Sequence, residues 1–263
     1  MNPKLYASIA VIITGLVLLY GISDFPTFGD PRSPANSGVE GGAPSTSLYY
    51  INESYGATKV PNLVTSVLAD YRGYDTMFET VVVFAAGMAI FAILRCFGRD
   101  DEAVITAPTK SSIDGDHNRI IVGTTCRLAV PVVQIFALYV VAHGHHSPGG
   151  GFQGGVMLGA SFILIALAGN LNDALGRFSE RSYMTLASLG IIIYAGFGVL
   201  PQVLGKNFLD FGVLEKFFLT DGPEMARSHS MLGVEIGVAL TVMSIMFAIF
   251  ANLSSRGTLK GGL

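Results

Sequence analysis

The chain has 263 residues, of which 51% are hydrophobic and only 13% charged, and its mean hydropathy is positive. That is too little charge to cover a water-exposed surface, so the composition reads as a membrane protein. A net charge of -3 with no clustered excess of Lys and Arg excludes a nucleic-acid-binding domain, and Cys96 and Cys126 lack metal-type spacing.

The fold class expected is all-α: a polytopic membrane protein with about six transmembrane helices, each needing roughly 20 predominantly apolar residues. The first predicted span runs from about Leu5 to Ile22, after Lys4. Nothing following it reads as a small-residue cleavage site, so it is an uncleaved anchor rather than a signal peptide. From Ser23 to Lys59 the composition turns to Pro, Gly, Ser, Asn and acids, which predicts an irregular polar loop. A short apolar piece, Val60 to Ala69, then leads through the polar knot Asp70 to Thr76 into a second span, Met77 to Leu94. A polar linker over 98–118 precedes the third span, Ile120 to Ala142, whose membrane entry lies nearer Arg127. The fourth, fifth and sixth spans are Phe152 to Ala168, Tyr183 to Leu200 and Met231 to Asn252, and Pro201 to Ser230 is amphipathic and mixed.

Positively charged loops are retained in the cytoplasm. Lys4, Arg95, Arg99, Lys110, Arg119, Arg177, Arg181, Arg256 and Lys260 fall on one side, against Arg32, Lys59, Arg72, Lys206, Lys216 and Arg227 on the other. Both termini are therefore expected inside, with the long polar loop and the turn between the third and fourth spans outside. With no tryptophan, an interfacial aromatic belt falls to tyrosines such as Tyr6, Tyr20, Tyr139 and Tyr183.

Three constellations could carry chemistry. The most specific is His143-Gly144-His145-His146-Ser147-Pro148-Gly149-Gly150-Gly151-Phe152-Gln153-Gly154-Gly155. Pro148-Gly149 suits a tight turn in which glycine takes a positive φ, so the flanking helices form a close hairpin. Gly151, Gly155 and Gly159 recur every fourth residue and line one helix face, where a neighbouring backbone can approach closely. His143, His145 and His146 invite a metal reading, yet no further ligand sits at suitable spacing, and capping of helix carbonyls is the alternative; no metal is assigned. The glycines lack the Lys-Ser/Thr ending of a phosphate-binding loop.

The second constellation is Asp70, Arg72, Asp75 and Glu79. Asp75 and Glu79 are four apart on one helix face, with Arg72 near enough to offset either carboxylate. This is either an ion network at the interface or part of an ion route. The third is Glu235, a lone carboxylate one turn into the sixth span, where a charge costs on the order of 2 kcal/mol or more unless paired or hydrated. It is expected to face protein or water.

At these residues the stretch from about Arg127 to Asn252 resembles the B-type component of the Mrp-type multi-subunit sodium/proton antiporters, the MnhB domain. Its pattern G-H-x-x-P-G-G-G-F-x-G-G is matched by Gly144-His145, Pro148 to Phe152 and Gly154-Gly155. Arg127 before the motif and Glu235 in the last helix are also similar to the family. Upstream, Val60 to Arg95 resembles the C-terminal part of the large A-type component, equivalent to the E-type component of membrane-bound hydrogenases. The pattern D-[FY]-R-[GA]-[FY]-D-T followed by Glu is met by Asp70 to Thr76 and Glu79, with Phe78 replacing a usual glycine.

The resemblance implies a natural fusion: a two-helix segment over 1–97, a cytoplasmic linker over 98–118 and a four-helix domain over 119–263. It further implies a non-catalytic subunit in the inner (plasma) membrane, partnered by A, C, D, E, F and G type subunits, in a complex exchanging Na+ for H+ without a cofactor. The principal proton channels would lie in the large A-type and D-type partners. The alternative it leaves open is a membrane subunit of a hydrogenase or related redox-driven ion pump. Ion-route candidates are Glu235, Glu79, Asp75, Asp70, Arg72 and Arg127.

Overall fold

A computed structural model describes residues 3–31, 33, 45–97 and 115–259, and every regular element among them is helical. The expected linker lies outside the described residues except where the chain is already helical from Gly115. Arg32, Arg99, Lys110 and Lys260 of the charge count also lie outside, as do the side chains of Lys4, Tyr6 and Arg119.

The chain divides into two units, up to Glu53 and from Ser54 onward. The first holds α1 (Pro3–Ile22), apolar around its whole circumference, and the start of α2 (Thr46–Thr58). That second helix corrects the expectation of an irregular loop through Lys59. Its polar face hides the period, but the Ser45 hydroxyl accepts the Leu48 N–H at 3.1 Å and starts it. Lys59, at φ 54°, ends it.

The second unit continues with α3 (Leu63–Thr65), a π-helical turn (Ser66–Tyr71), α4 (Gly73–Phe97), α5 (Gly115–Ala142), α6 (Gly151–Ala168), α7 (Leu171–Arg177) and α8 (Glu180–Val203). After a 3-10 turn (Phe211–Leu214) and α9 (Glu215–Phe218) comes α10 (Pro223–Ser254). Among the described residues five helices are long and apolar enough to cross a membrane: α4, α5, α6, α8 and α10. Of the six expected spans the first, α1, contributes a shorter apolar stretch, Ser8–Ile22, among residues with described side chains.

The axis of this unit is α10, which packs against α8, α6 and α4, while α5 packs on α6. It begins two turns before the expected Met231. Pro223 suits the first helical position, where its missing N–H costs nothing, and Gly222 at φ 145° supplies the bend before it. The close crossings are made by backbone. A Cβ on Gly237 would stand 2.7 Å from the Gly190 carbonyl, and the Thr241 hydroxyl donates to the Ala187 carbonyl at 3.0 Å. Such contact replaces the hydrophobic drive that is missing between helices in lipid. At one end Phe162, Phe178, Tyr183 and Phe247 form an aromatic cluster, with Phe162 and Phe178 centroids 4.6 Å apart. Beside it Arg95 of α4 pairs with Glu180 and donates to Asn252 at 3.3 Å, tying α4 to α8 and α10.

Candidate functional site

Where α5 ends at Ala142, the chain reverses within eight residues and enters α6 at Gly151. The positive φ that makes this possible belongs to Gly150, at 130°, and not to Gly149 as the sequence suggested. The extreme bend falls on the residue directly before the helix, in a region of φ,ψ space open to glycine. The Gly150 N–H closes back onto the Val140 carbonyl at 3.2 Å and Ser147 N–H onto His143 at 2.9 Å.

The turn is clasped from outside by residues the sequence did not single out. Asn62 donates from its side chain to the carbonyls of Gly144 (2.8 Å) and Ser147 (2.9 Å), and Thr65 donates to Gly144 at 2.7 Å. Asn62 is also the N-cap of α3, accepting the Val64 N–H, so one side chain both starts that helix and holds the turn. Nothing local in the sequence marks a contact 82 residues away.

The expected glycine ladder of α6 is packed against α10. A Cβ at Gly151 would collide with the backbone of Glu235; at Gly155 it would lie 2.9 Å from the Ala239 carbonyl, and at Gly159 3.0 Å from that of Met243. Gly154 turns toward α5, its Cβ position 2.9 Å from the Ala137 carbonyl. Glu235 is thus three turns into α10, under the glycine turn. It is 7% exposed, one carboxyl oxygen has no hydrogen-bond partner among the described residues, and a Cβ on Gly144 would come within 2.6 Å of that oxygen. The carboxyl lines a cavity of about 450 Å³ with Glu79, Thr65, Thr76, Thr80 and Gly150. It adjoins the N-terminal end of α6, whose free N–H groups and dipole attract negative charge.

The acidic constellation is divided. Asp75 and Glu79 do share α4, and Arg72 donates to Asp75 at 2.7 Å. Asp70, however, pairs with Arg227 of α10 at 2.6 and 3.0 Å, in a fork-to-carboxylate geometry. Arg227 also donates to the Ala57 carbonyl and lies over the Tyr71 ring. The sequence placed it in the amphipathic, mixed segment before the last span, where it counted only as a loop charge. Arg127 joins neither group: it lines a separate cavity at the opposite end of α6.

The histidines do not converge. His143 stacks on Tyr139 at 4.1 Å, and His145 lies against His146 at 4.2 Å. Among the described residues no three His, Cys, Asp or Glu are arranged to hold a metal. Burial, followed by the charges of His146, His143 and His229, pushes the His145 imidazole below its ordinary value near 6.5.

Two family models match the chain. Residues 121–248 match the domain related to the MnhB subunit of the Na+/H+ antiporter, and residues 41–112 match MbhE, the E-type component of MBH. A Staphylococcus haemolyticus protein named as antiporter subunit mnhB2 is 30% identical over 140 residues, covering 52% of this chain and 96% of its own length. The fold is similar to a chain of the Mrp complex from Dietzia sp. DQ12-45-1b, with a TM-score of 0.62, 20% identity, 95% of this chain covered and 26% of that one. It is also similar to a chain of the membrane-bound sulfane sulfur reductase, an archaeal respiratory membrane complex, with a TM-score of 0.56 and 25% identity over 92% of this chain and 97% of that one. The chain belongs to the family of domains related to the MnhB subunit of the Na+/H+ antiporter, and the residues before that domain are similar to the MbhE family.

Proposed function

We propose that this chain is a non-catalytic membrane subunit of a multi-subunit monovalent cation/proton antiporter. It works with A, C, D, E, F and G type subunits in the plasma membrane, with Na+ and H+ as the exchanged ions and both termini cytoplasmic. The observation carrying the reading is Glu235: a carboxyl 7% exposed, inside the MnhB-matching region, opening with Glu79 onto one cavity beneath the glycine motif. An acid kept at such a place despite its cost belongs on an ion path or in a pairing within the complex. Asp75, Asp70 and Arg72 are engaged in ion pairs and do not line this cavity, leaving Glu235 and Glu79 as the carboxyl groups that face it.

The test is Glu235→Gln and Glu79→Gln, with cation-dependent proton exchange followed in vesicles by a pH-sensitive dye beside the yield of purified complex. Gln preserves shape and removes the titrating charge, so exchange falls while yield holds. Normal exchange and yield in both variants would reject the ion-route role; lost yield would make the carboxylates assembly contacts. For orientation, an impermeant maleimide labels Lys206→Cys but not Ser182→Cys in intact cells carrying an otherwise cysteine-free chain. The reverse pattern inverts the topology.

The similarity to the respiratory complex favours a second reading, a membrane subunit of a redox-driven pump. Iron-sulfur or nickel proteins co-purifying with the native complex would select it.

A further inference from the structure

At the end of α6 remote from the glycine turn, α5, α6 and α7 enclose a cavity of about 620 Å³. Arg127 enters it from α5 and Arg177 from α7, and the carboxylate of Asp173 is also at its rim. Two guanidinium groups against one carboxylate leave the site net positive. Among the described residues neither arginine has a hydrogen-bond or ion-pair partner. Val130, Pro131 and Ile165 give it apolar walls, and Gln134, whose amide donates to Ser161 at 3.0 Å, also lines it.

This arrangement brings charged and apolar side chains together in one cavity. Arg127 lies six residues into the membrane-length stretch Ile121–Ala142, about 9 Å along the axis at 1.5 Å per residue. A guanidinium at that depth can snorkel toward the surface or meet an anion at its own level. Lipid phosphates lie at the membrane surface, which a snorkelling arginine reaches, and two guanidinium groups lining one cavity suit a phosphodiester through bidentate hydrogen bonds. Outside the cavity α5 is also apolar, with Leu128 72% and Ile135 70% exposed, which continues the surface along which acyl chains would lie.

We propose that the cavity is a phosphate-binding site and that the phosphate it takes is the headgroup of a membrane phospholipid, with Arg127 and Arg177 as the anion ligands. Asp173 excludes a second negative charge, so a single phosphodiester is preferred to a multiply charged anion.

The test uses the full chain purified in detergent and native mass spectrometry with three probes: phosphatidylglycerol, diacylglycerol of the same acyl chains, and inorganic phosphate. The expected result is retained phosphatidylglycerol adducts and little diacylglycerol binding. Arg127→Gln and Arg177→Gln each weaken phosphatidylglycerol binding by a factor of about five, the scale of one basic residue acting on an anionic lipid. Arg181→Gln, near the same end but outside the cavity, leaves it unchanged. Because neither cavity arginine bonds to a described residue, the variants keep the parent melting temperature in lipid-free detergent. Equal binding of diacylglycerol and phosphatidylglycerol would overturn the proposal, and so would an equal loss in Arg181→Gln. Displacement of the lipid by inorganic phosphate at equal concentration would overturn the lipid source.

Discussion

The α5–α6 hairpin has two ends built on opposite principles. At the turn end, backbone meets backbone: Gly151 sits on Glu235, Gly154 on Ala137, and the turn is clasped by Asn62 and Thr65. At the far end α5, α6 and α7 line a cavity, and among the described residues Gly176 has nothing within 4 Å of where a Cβ would stand. Close approach fixes a geometry only where side chains are absent, because a well-packed interior has no slack to absorb added volume. The same residue type therefore has opposite meanings at the two ends. Gly155 is required by a neighbour, whereas Gly176 is a position at which helix propensity alone decides.

That contrast breaks most sharply at the turn end. Gly155→Leu drives a branched side chain into the Ala239 carbonyl, where overpacking costs about 1–3 kcal/mol or more, and recovery of folded chain and of complex on affinity purification collapses. Full recovery would show that α6 and α10 can separate without consequence. The next effect lies in the Asp70–Arg227 pair, which fastens the π-helical turn, and with it the clasp, onto α10. Asp70 is 9% and Arg227 25% exposed, so Asp70→Asn leaves a part-buried guanidinium without its carboxylate and costs about 2 kcal/mol, read as a lowered unfolding temperature in detergent. The double change Asp70→Asn with Arg227→Gln recovers part of the loss.

At the far end, Gly176→Ala raises the unfolding temperature slightly, by up to about 1 kcal/mol of helix propensity, and leaves complex yield unchanged. A destabilised variant would mean that α7 is packed against something the isolated chain does not contain. The smallest effect is a pH dependence at the turn. His145 has its proton affinity lowered on folding, so the unfolded chain binds the proton more tightly. Its contribution is complete above the ordinary value near 6.5 and declines as pH falls through that value, levelling off below the folded one. Melting temperatures between pH 8 and pH 5 fall less steeply in His145→Gln than in the parent.

The glycine ladder is legible in the sequence because a period of four on an apolar helix has few physical uses besides close packing. The long apolar spans are legible for a similar reason, since length and hydropathy suffice. The opening turns of α10 are not. Ser228 and Ser230 look like loop residues, yet both are buried, and the Ser230 hydroxyl is satisfied by the Ala226 carbonyl of its own helix. Nor does any local feature tell Asp70 to choose Arg227, 157 residues away, over Arg72 two residues on. Spacing names the charged residues, and only tertiary contact pairs them. Glu235 stands between these cases: its isolation among apolar residues marks it, while its place beneath Gly144 and Gly150 follows from the turn.

The seam that α4 forms with α8 and α10 joins the two matched segments of the chain. A Cβ on Gly87 would stand 2.8 Å from Ile245, Tyr194 donates to the Gly73 carbonyl at 2.7 Å, and Arg95 reaches Asn252. The mnhB2 relative matches 52% of this chain at 96% of its own length, so it has no room for an equivalent of α1 to α4. Carrying both segments on one polypeptide fixes their ratio at one to one and turns an encounter between two membrane proteins into an intramolecular event. At the millimolar effective concentrations typical of short linkages, a seam too weak to hold separate chains together in a dilute bilayer stays closed.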